Sequence, residues 1–213
     1  VVVGTAGDDV IRISSFSGAN NVETIDGAAG VNVILGSTSN NTLDFSNTTF
    51  IVIDHIDGNS GNDTIKGTDD DDVIIGGLGS DYLFGNAGND RFLVTHEDSG
   101  YDRYSGGEGS DKLEATDLDD IIRISHFSGV YVVETIDGKG GDNRIEGSKS
   151  NNTLDFSATQ LVNIHRINAG KGNDTVKGSN GDDVIEGGLG SDYLYGNAGD
   201  DTFKLTIADT GYD

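Results

Sequence analysis

The side chains that could do chemistry in this sequence are carboxylates. The chain has 37 Asp and Glu residues against 13 Lys and Arg. Adjacent acids at 8–9, 119–120 and 182–183 could supply the two carboxylates of unlike pKa that glycoside hydrolysis needs. Carboxylates are so frequent along the whole chain, however, that no such pair singles out an active site. It is the spacing of the acids that calls for an explanation.

Several other chemistries are excluded by composition. The chain has no Cys, so it has no disulfide, thiolate zinc site, iron–sulfur cluster or cysteine nucleophile. Its formal charge of −24 repels nucleic acid and anionic membranes, because both bind cationic surfaces. No apolar run approaches the roughly 18 residues of a membrane helix. We therefore expect no nucleic-acid partner and no membrane span.

The acids belong to a repeat. The sequence matches itself without gaps at an offset of 111 residues, beginning with Val10 against Ile121, and this predicts two modules, 1–111 and 112–213. Within each module lies a period of nine, clearest in 58–66, 67–75 and the two units that follow. Gly leads each unit, Asp is sixth and a large apolar residue is eighth. The four histidines do not recur at the 111-residue offset, so a catalytic or transition-metal role is not expected for them.

Each unit of nine predicts a six-residue glycine-rich turn followed by a three-residue strand. The strand places its middle residue on one face, and one apolar side chain per nine residues cannot form a core alone. Stacked coils can, because they align these residues in ladders inside a flattened cylinder. The sequence thus predicts an all-β, parallel solenoid without helices, continuous through both modules. The glycine-free stretches 37–57 and 148–169 predict plain coils between glycine-rich blocks. The predicted core residues are Ile65, Ile74, Leu83 and Phe92.

The nonapeptide resembles the G-G-x-G-x-D-x-U-x repeat of RTX proteins of the hemolysin type. Units 76–84 and 187–195 match that motif at every defined position, and four units in phase recur 111 residues later. The resemblance implies a parallel β-roll in which two nonapeptides form one coil. It also implies Ca²⁺ bound between one turn and the next on the same edge, by sixth-position carboxylates and turn carbonyls. Hard oxygen ligands suit Ca²⁺, which takes six to eight of them.

Carried over to this sequence, the resemblance assigns a set of metal ligands. Same-edge pairs predict four principal sites, at Asp63 with Asp81, Asp72 with Asp90, Asp174 with Asp192 and Asp183 with Asp201. Across the insertion at 94–96, Asp81 with Asp102 and Asp90 with Asp111 form further candidate pairs. The remaining sixth-position candidates are Asp9, Asp120 and Asp213. The leading glycines of the candidate turns are Gly58, Gly67, Gly76, Gly85, Gly178, Gly187 and Gly196.

Asn replaces Asp at the sixth position of four turns, namely at Asn32, Asn41, Asn143 and Asn152. Asn offers only a neutral oxygen, so weak ion binding or none is one interpretation of these turns. An asparagine ladder that joins coils through amide hydrogen bonds is the other. The sequence leaves both open.

The expected function is that of a non-enzymatic calcium-binding structural module of a large secreted or cell-surface bacterial protein, such as an adhesin. The resemblance implies type I secretion followed by folding in extracellular calcium. Because Val1–Val3 forms only a strand and Asp213 closes an incomplete unit, we expect the chain to be cut from a longer array. The main alternative is a polysaccharide-binding module of a carbohydrate-active enzyme, with Tyr82, Tyr193 and Tyr195 on its surface. Ice binding and a β-helix lyase or epimerase come third, since the second turn position shows no regular Thr row and no unique site stands out.

Overall fold

A computed structural model describes residues 1–17, 22–95, 98–129 and 133–205. Within these ranges the chain forms short strands joined by turns, and no helix. The strands, in chain order, are β1 (Val2–Val3), β2 (Asp9–Arg12), β3 (Ser15–Phe16), β4 (Thr24–Asp26), β5 (Asn32–Leu35), β6 (Thr42–Asp44), β7 (Thr49–Ile51), β8 (His55–Asp57), β9 (Thr64–Lys66), β10 (Val73–Ile75), β11 (Tyr82–Ala87), β12 (Arg91–Leu93), β13 (Arg103–Glu108), β14 (Lys112–Glu114), β15 (Ile121–Ile124), β16 (Thr135–Asp137), β17 (Asn143–Gly147), β18 (Thr153–Asp155), β19 (Gln160–Val162), β20 (Ile164–Asn168), β21 (Thr175–Lys177), β22 (Val184–Glu186), β23 (Tyr193–Tyr195) and β24 (Thr202–Lys204).

These strands form five sheets, and the described pairings are all parallel. The spatial orders are β1-β4-β7, β19-β16-β14-β12-β10-β8-β5-β2, β13-β11-β9-β6-β3, β15-β17-β20-β22-β24 and β18-β21-β23. Consecutive strands along the chain lie in different sheets, so the backbone winds as a solenoid of about nine turns. The predicted all-β parallel solenoid is confirmed.

The core is a ladder of strand-centre residues. Ile65, Ile74, Leu83 and Phe92 are each no more than 1% exposed, as the nonapeptide period predicts. Ile65 pairs with Leu83 and Ile74 with Phe92, so identical unit positions stack from coil to coil. Each middle residue points inward because its two neighbours in a three-residue strand must point outward.

Coil size differs along the chain. In the glycine-rich segments, paired residues are 18 apart, as in Ile65 with Leu83 and Ile167 with Ile185, which is two nonapeptides per coil. Around the glycine-free stretches the spacing is larger, and Ile25 pairs with Phe50, 25 residues further on. There a coil contains three strands, for example β4, β5 and β6, so the plain coils expected from the sequence are three-sided.

Phenylalanines fill the wider cross-section of the three-sided coils. Phe16 stacks on Phe45 with ring centroids 4.7 Å apart, and Phe45 meets Phe50 at 5.1 Å. In the second module Phe127 stacks on Phe156 at 5.0 Å. A single Ile on each face of such a coil would leave space in its centre, and the larger aromatic side chain fills it.

The two modules share one sheet. Strand β12 at the end of the first module pairs with β14 at the start of the second, with Phe92 beside Leu113. Next to this seam, Glu114 forms ion pairs with Arg91 at 2.6 Å, Lys112 at 2.9 Å and Lys139 at 3.1 Å. Burial alone would raise the pKa of Glu114, but hydrogen bonds from the three cations and the charge of Arg91 outweigh it and lower the pKa to about 2.

Candidate metal centre

The sixth-position residues of stacked turns are joined directly from coil to coil. The backbone N–H of Asp63 donates to Oδ1 of Asp81 at 2.7 Å, and that of Asp81 donates to Oδ1 of Asp102 at 2.9 Å. The insertion at 94–96 therefore leaves the register of this edge intact. The same bond joins Asp72 to Asp90 and Asp90 to Asp111 at 2.8 Å, Asp174 to Asp192 at 2.8 Å and Asp183 to Asp201 at 3.0 Å.

The second carboxylate oxygen, Oδ2, has no hydrogen-bond donor in one group of these turns. The side chains concerned are at most 1% exposed, so water does not replace the missing donor. The group includes Asp63, Asp81, Asp90, Asp111 and Asp174. Burying an ionised oxygen without a partner is costly, so a cation or a proton is needed at these positions.

Burial raises the pKa values of the same residues. Desolvation, helped by the nearby carboxylates of Asp72 and Asp111 and partly opposed by the Asp72 N–H, raises the pKa of Asp90 to about 7. Desolvation also dominates at Asp63, Asp81 and Asp174, where the pKa rises to about 6. No cationic side chain lowers any of these pKa values. The site thus has a deficit of positive charge at neutral pH.

The leading glycine of each turn keeps space open beside Oδ2. A Cβ placed on Gly85 would lie 2.0 Å from Oδ2 of Asp90 and 2.6 Å from the carbonyl oxygen of Gly106. A Cβ on Gly58 would meet Oδ2 of Asp63 at 2.7 Å and the Gly76 carbonyl oxygen at 2.4 Å. Any side chain here would fill the gap between two oxygens. The same collision with the sixth-position carboxylate holds at Gly67, Gly76, Gly106, Gly178, Gly187 and Gly196.

A second group of predicted ligands has its Oδ2 already engaged. In turn 67–72, the backbone N–H and the hydroxyl of Thr68 donate to Oδ2 of Asp72 at 2.6 and 3.0 Å. Ser179 donates in the same way to Asp183 at 2.7 and 3.0 Å. Thr5 with Asp9 and Thr116 with Asp120 repeat the arrangement.

Four predicted ligands are in neither group. Asp192 and Asp201 accept the coil-to-coil bonds from Asp174 and Asp183 through Oδ1. Oδ2 of Asp102 accepts a hydrogen bond from the phenol of Tyr104 at 2.9 Å. Desolvation, with Asp98 and Asp81 nearby, raises the pKa of Asp102 strongly. Asp213 lies outside the described residues.

The turns with Asn at the sixth position have no carboxylate charge to neutralise, and their amide N–H groups bond carbonyl oxygens directly. Nδ2 of Asn143 donates to the carbonyl oxygen of Gly138 at 2.7 Å, and Nδ2 of Asn32 donates to that of Val52 at 2.9 Å. Their Oδ1 atoms accept the backbone N–H of Asp120 and Asp9, so the coil-to-coil bond is kept. Of the two interpretations left open by the sequence, the amide ladder describes this geometry.

Sequence reasoning missed two polar features of the turns. Fifth-position residues form an outer ladder, in which Oδ1 of Asn62 accepts the Ser80 N–H at 2.9 Å and Oδ1 of Asp71 accepts the Asn89 N–H at 2.7 Å. Glu134 accepts the N–H of Asp111 at 2.8 Å and ends one stack of turns. The recurrence of Asn and Asp at the fifth position was a usable signal, whereas Glu134 occupies the sixth position of unit 129–137, where Asp would be expected.

The surface tyrosines do not form a long row. Tyr82 lies on β11 with Arg103 over its ring at 5.1 Å, and Tyr193 and Tyr195 lie on β23 in another sheet. In register beside Tyr193 stands Thr175. Among the described residues, basic side chains stand beside Tyr82 (Arg103) and Tyr195 (Lys177) on separate sheets, rather than along one extended carbohydrate-binding face.

The donor set of the turns fits a hard cation. Carboxylate and carbonyl oxygens are the ligands that Ca²⁺ prefers. Within the described ranges, no group of three or more His, Cys, Asp or Glu side chains surrounds a common point, so an ion here would draw on backbone carbonyls as well. Nδ1 of the exposed His165 lies 3.3 Å from Oδ1 of Asp142, which is also exposed. The described part of the chain contains no helix that is long and apolar enough to span a membrane.

Comparison with known proteins agrees with this chemistry. The family model of the RTX calcium-binding nonapeptide repeat matches the chain in four copies, at residues 17–47, 57–92, 129–158 and 167–203. A search among curated proteins found no significant match. The family's repeat is a non-catalytic calcium-binding unit, and proteins that carry it are typically secreted by bacteria. On the strength of the four matched segments, this chain belongs to the RTX calcium-binding nonapeptide repeat family.

Proposed function

We propose that this chain is a non-enzymatic structural module that folds when its turns bind several calcium ions. The observation that carries the proposal is the set of buried Oδ2 atoms without a donor, at Asp63, Asp81, Asp90, Asp111 and Asp174. Asp63, Asp81 and Asp90 belong to glycine-led turns within the matched repeat segments, and Asp174 lies in a matched turn led by Ala169. Calcium supplies the positive charge that these oxygens lack.

The chain's own residues would hold the ions in a defined way. The coil-to-coil hydrogen bond through Oδ1 fixes each carboxylate, as in Asp63 and Asp81, and leaves Oδ2 directed at its own turn. The leading glycine admits the carbonyl oxygen of the next coil, as at Gly58 and Gly76. Metal binding to a site that forms only on folding contributes its free energy to folding.

Without calcium, the charge and composition oppose folding. Hydrophobic residues make up 34% of the chain, and a formal charge of −24 repels itself in a compact state. Ordering each residue costs about 1–2 kcal/mol in backbone entropy, which few apolar side chains offset here. We expect a largely unfolded chain in the absence of calcium.

Circular dichroism tests this function. Spectra in EGTA should show little β structure, and about 5 mM calcium, above the roughly 0.1–1 mM dissociation constants of extracellular-type sites, should restore it. Magnesium at the same concentration is the control, because its small ion demands octahedral geometry and loses water reluctantly. A strong β spectrum in EGTA would refute the proposal.

The biological setting follows from the coupling. We propose that the parent protein is large, secreted by bacteria through a type I pathway and displayed outside the cell, with 1–111 and 112–213 as two modules of one solenoid. Coupling to calcium would keep the chain unfolded where calcium is scarce and fold it where calcium is plentiful. A secreted fusion of this chain would test the direction of transport. The amount secreted would be compared with calcium present and with calcium depleted on the cytosolic side.

A further inference from the structure

The turns of this solenoid fall into two conformational classes, set by their second residue. In one class that residue has positive φ, for example 76° at Asn59, 95° at Gly77 and 84° at Asn86. In the other class it is Thr or Ser, and its backbone N–H or hydroxyl bonds the side chain of the sixth residue. We name these open turns and closed turns. The closed turns have Thr5, Ser37, Thr68, Thr116, Ser148 and Ser179 at their second position.

The two classes separate the carboxylates, apart from Asp102, whose turn has Asp98 at its second position and belongs to neither class. Asp63, Asp81, Asp90, Asp111 and Asp174, whose buried Oδ2 lacks a donor, all belong to open turns. The closed turns with Asp at the sixth position all engage Oδ2 through two donors of Thr or Ser. These aspartates are Asp9, Asp72, Asp120 and Asp183.

Closed turns also have a fixed place in the solenoid. Within the described residues, each closed turn begins a run of coil-to-coil hydrogen bonds between sixth-position residues, and open turns follow it in that run. Thr68 lies in turn 67–72, whose Asp72 donates its N–H to Asp90, which in turn donates to Asp111. Turn 178–183 precedes 196–201 in the same manner, through Asp183 and Asp201.

We infer that the second residue of each turn decides whether the turn takes a cation: open turns bind one, and Thr or Ser turns are ion-free caps that begin each stack. This inference rests on the proposed function and refines it, since half of the predicted principal sites include a closed turn. Apart from the second residue, the space beside Oδ2 is alike in closed and open turns. A Cβ on Gly67 would meet Oδ2 of Asp72 at 2.4 Å and the carbonyl oxygen of Gly85 at 2.8 Å, as in an open turn.

The cap works by supplying from the chain what an ion would supply elsewhere. The Thr68 N–H and hydroxyl both approach Oδ2 of Asp72 within hydrogen-bonding distance. In an open turn such as 85–90 the second residue, Asn86, instead directs Nδ2 to the Gly67 carbonyl at 2.8 Å and leaves Oδ2 of Asp90 without a donor. Because hydrogen-bond donors and a cation compete for the same lone pairs, a closed turn has little left to offer an ion.

The chain itself indicates that the test substitutions fit the fold. Asn41 is a sixth-position Asn in a closed turn, where its Oδ1 accepts the Ser37 N–H at 2.7 Å. Asn32 and Asn143 are sixth-position Asn in open turns, where Oδ1 keeps the coil-to-coil bond. Asp72→Asn and Asp90→Asn therefore each reproduce an arrangement already present in the solenoid.

Native mass spectrometry of the whole chain in calcium counts the bound ions and tests the inference. Asp90→Asn should bind one ion fewer than the unsubstituted chain, whereas Asp72→Asn in the same stack should bind the same number. Asp174→Asn and Asp183→Asn repeat the pair in the second module and serve if a variant of the first fails to fold. Loss of one ion in both members of each pair would overturn the inference.

A substitution that gains an ion completes the test. Thr68→Gly removes the hydroxyl and lets the second residue adopt positive φ, so the variant should bind one ion more, while Thr68→Ser should not. An unchanged count in Thr68→Gly, with β structure intact by circular dichroism, would contradict the inference. Absence of any bound calcium in the unsubstituted chain would instead refute the proposed function, so the two failures are distinguishable.

Discussion

At the scale of residues, each nonapeptide repeats the same hydrogen-bonding pattern at its sixth residue. Oδ1 of a sixth-position carboxylate accepts the N–H of the preceding coil, and the leading glycine leaves room at Oδ2, as Asp90 and Gly85 show. The fixed phase of Asp in the sequence predicted which side chains line the edges. It did not predict which of them lack a donor, because the closure by Thr68 depends on the φ of the second residue. The spacing of Thr or Ser four residues before Asp is the signal that could have found it.

Substitution of a leading glycine should loosen the site. Gly85→Ala places a Cβ 2.0 Å from Oδ2 of Asp90, so the carboxylate must move. We expect a loss of about 1–3 kcal/mol in the free energy of unfolding in calcium, as for overpacking elsewhere, measured by urea denaturation. Gly181→Ala is the control, because its Cβ would meet nothing closer than the Ser179 hydroxyl at 3.6 Å. Equal stability of the two variants would contradict this picture of the turn.

Acidity should act in opposite directions on the two forms of the chain. Burial raises the pKa of Asp63, Asp81 and Asp174 to about 6 and of Asp90 to about 7, against 3.8 in an unfolded chain. The folded chain without calcium then binds more protons than the unfolded chain, so its stability rises as pH falls from 7 towards 4. Calcium must displace these protons, so more calcium is needed at lower pH.

Calcium titrations followed by circular dichroism at pH 5.5 and 7.5 check both signs. The calcium midpoint should be higher at pH 5.5, and the β signal in EGTA should be larger there. A midpoint independent of pH would show that the raised pKa values of the buried carboxylates do not enter the folding equilibrium.

At the scale of elements, the strand is reduced to three residues with one inward side chain. Ile65, Leu83 and Phe92 could be assigned to the core from the period alone, since the eighth position of each unit has one direction available to it. The third strand of the wide coils could not be assigned. Strand β7 at Thr49–Ile51 follows a stretch without glycine punctuation, and its pairing with β4 depends on a coil 25 residues long.

Removal of an inward side chain should be costly. Leu83→Ala empties a position that is 1% exposed at the centre of β11, and we expect a loss of about 2–5 kcal/mol in calcium. Tyr82→Ala, one residue earlier, removes a side chain that is 43% exposed and should lose far less. Thermal unfolding of both variants compares the two faces of the strand, and equal losses would contradict the inward ladder.

The seam between modules depends on one acid. Glu114 neutralises Arg91, Lys112 and Lys139, and it is nearly buried. Glu114→Gln leaves those cations without their common charged partner. We therefore expect a loss of about 1–3 kcal/mol in the free energy of unfolding, of the order found when one partner of a charged hydrogen bond is removed. Glu108→Gln, on the exposed end of β13, is the control. Denaturation in calcium measures the difference between the two variants. Unchanged stability of Glu114→Gln would show that these ion pairs do not stabilise the seam.

At the scale of the whole molecule, two kinds of coil alternate along one continuous solenoid. Three-sided coils carry sixth-position Asn whose amides bond turn carbonyls of their own or the next coil, and two-sided glycine-rich coils carry the buried carboxylates without donors. The composition predicted an acidic chain with a small core, and the period predicted its stacking. The alternation of coil shape was beyond the sequence, because it depends on how Phe45 and Phe156 fill the wider coils.

Specific ion binding should be separable from general screening of charge. Salt at about 0.15 M shortens the Debye length to about 8 Å and weakens repulsion between exposed carboxylates. It does not supply a ligand for buried oxygens such as Oδ2 of Asp90. We expect sodium chloride without calcium to leave the chain largely unfolded in small-angle scattering, and recovery of a compact form by sodium alone would contradict specific coordination.

The central claim is that calcium occupies the open turns of the solenoid, and a crystal structure in calcium tests it most directly. Anomalous difference maps should show ions about 2.3–2.6 Å from Oδ2 of carboxylates in open turns, among them Asp63, Asp81, Asp90 and Asp174. Well-ordered turns without ions at these oxygens, or calcium confined to exposed carboxylates, would contradict the account.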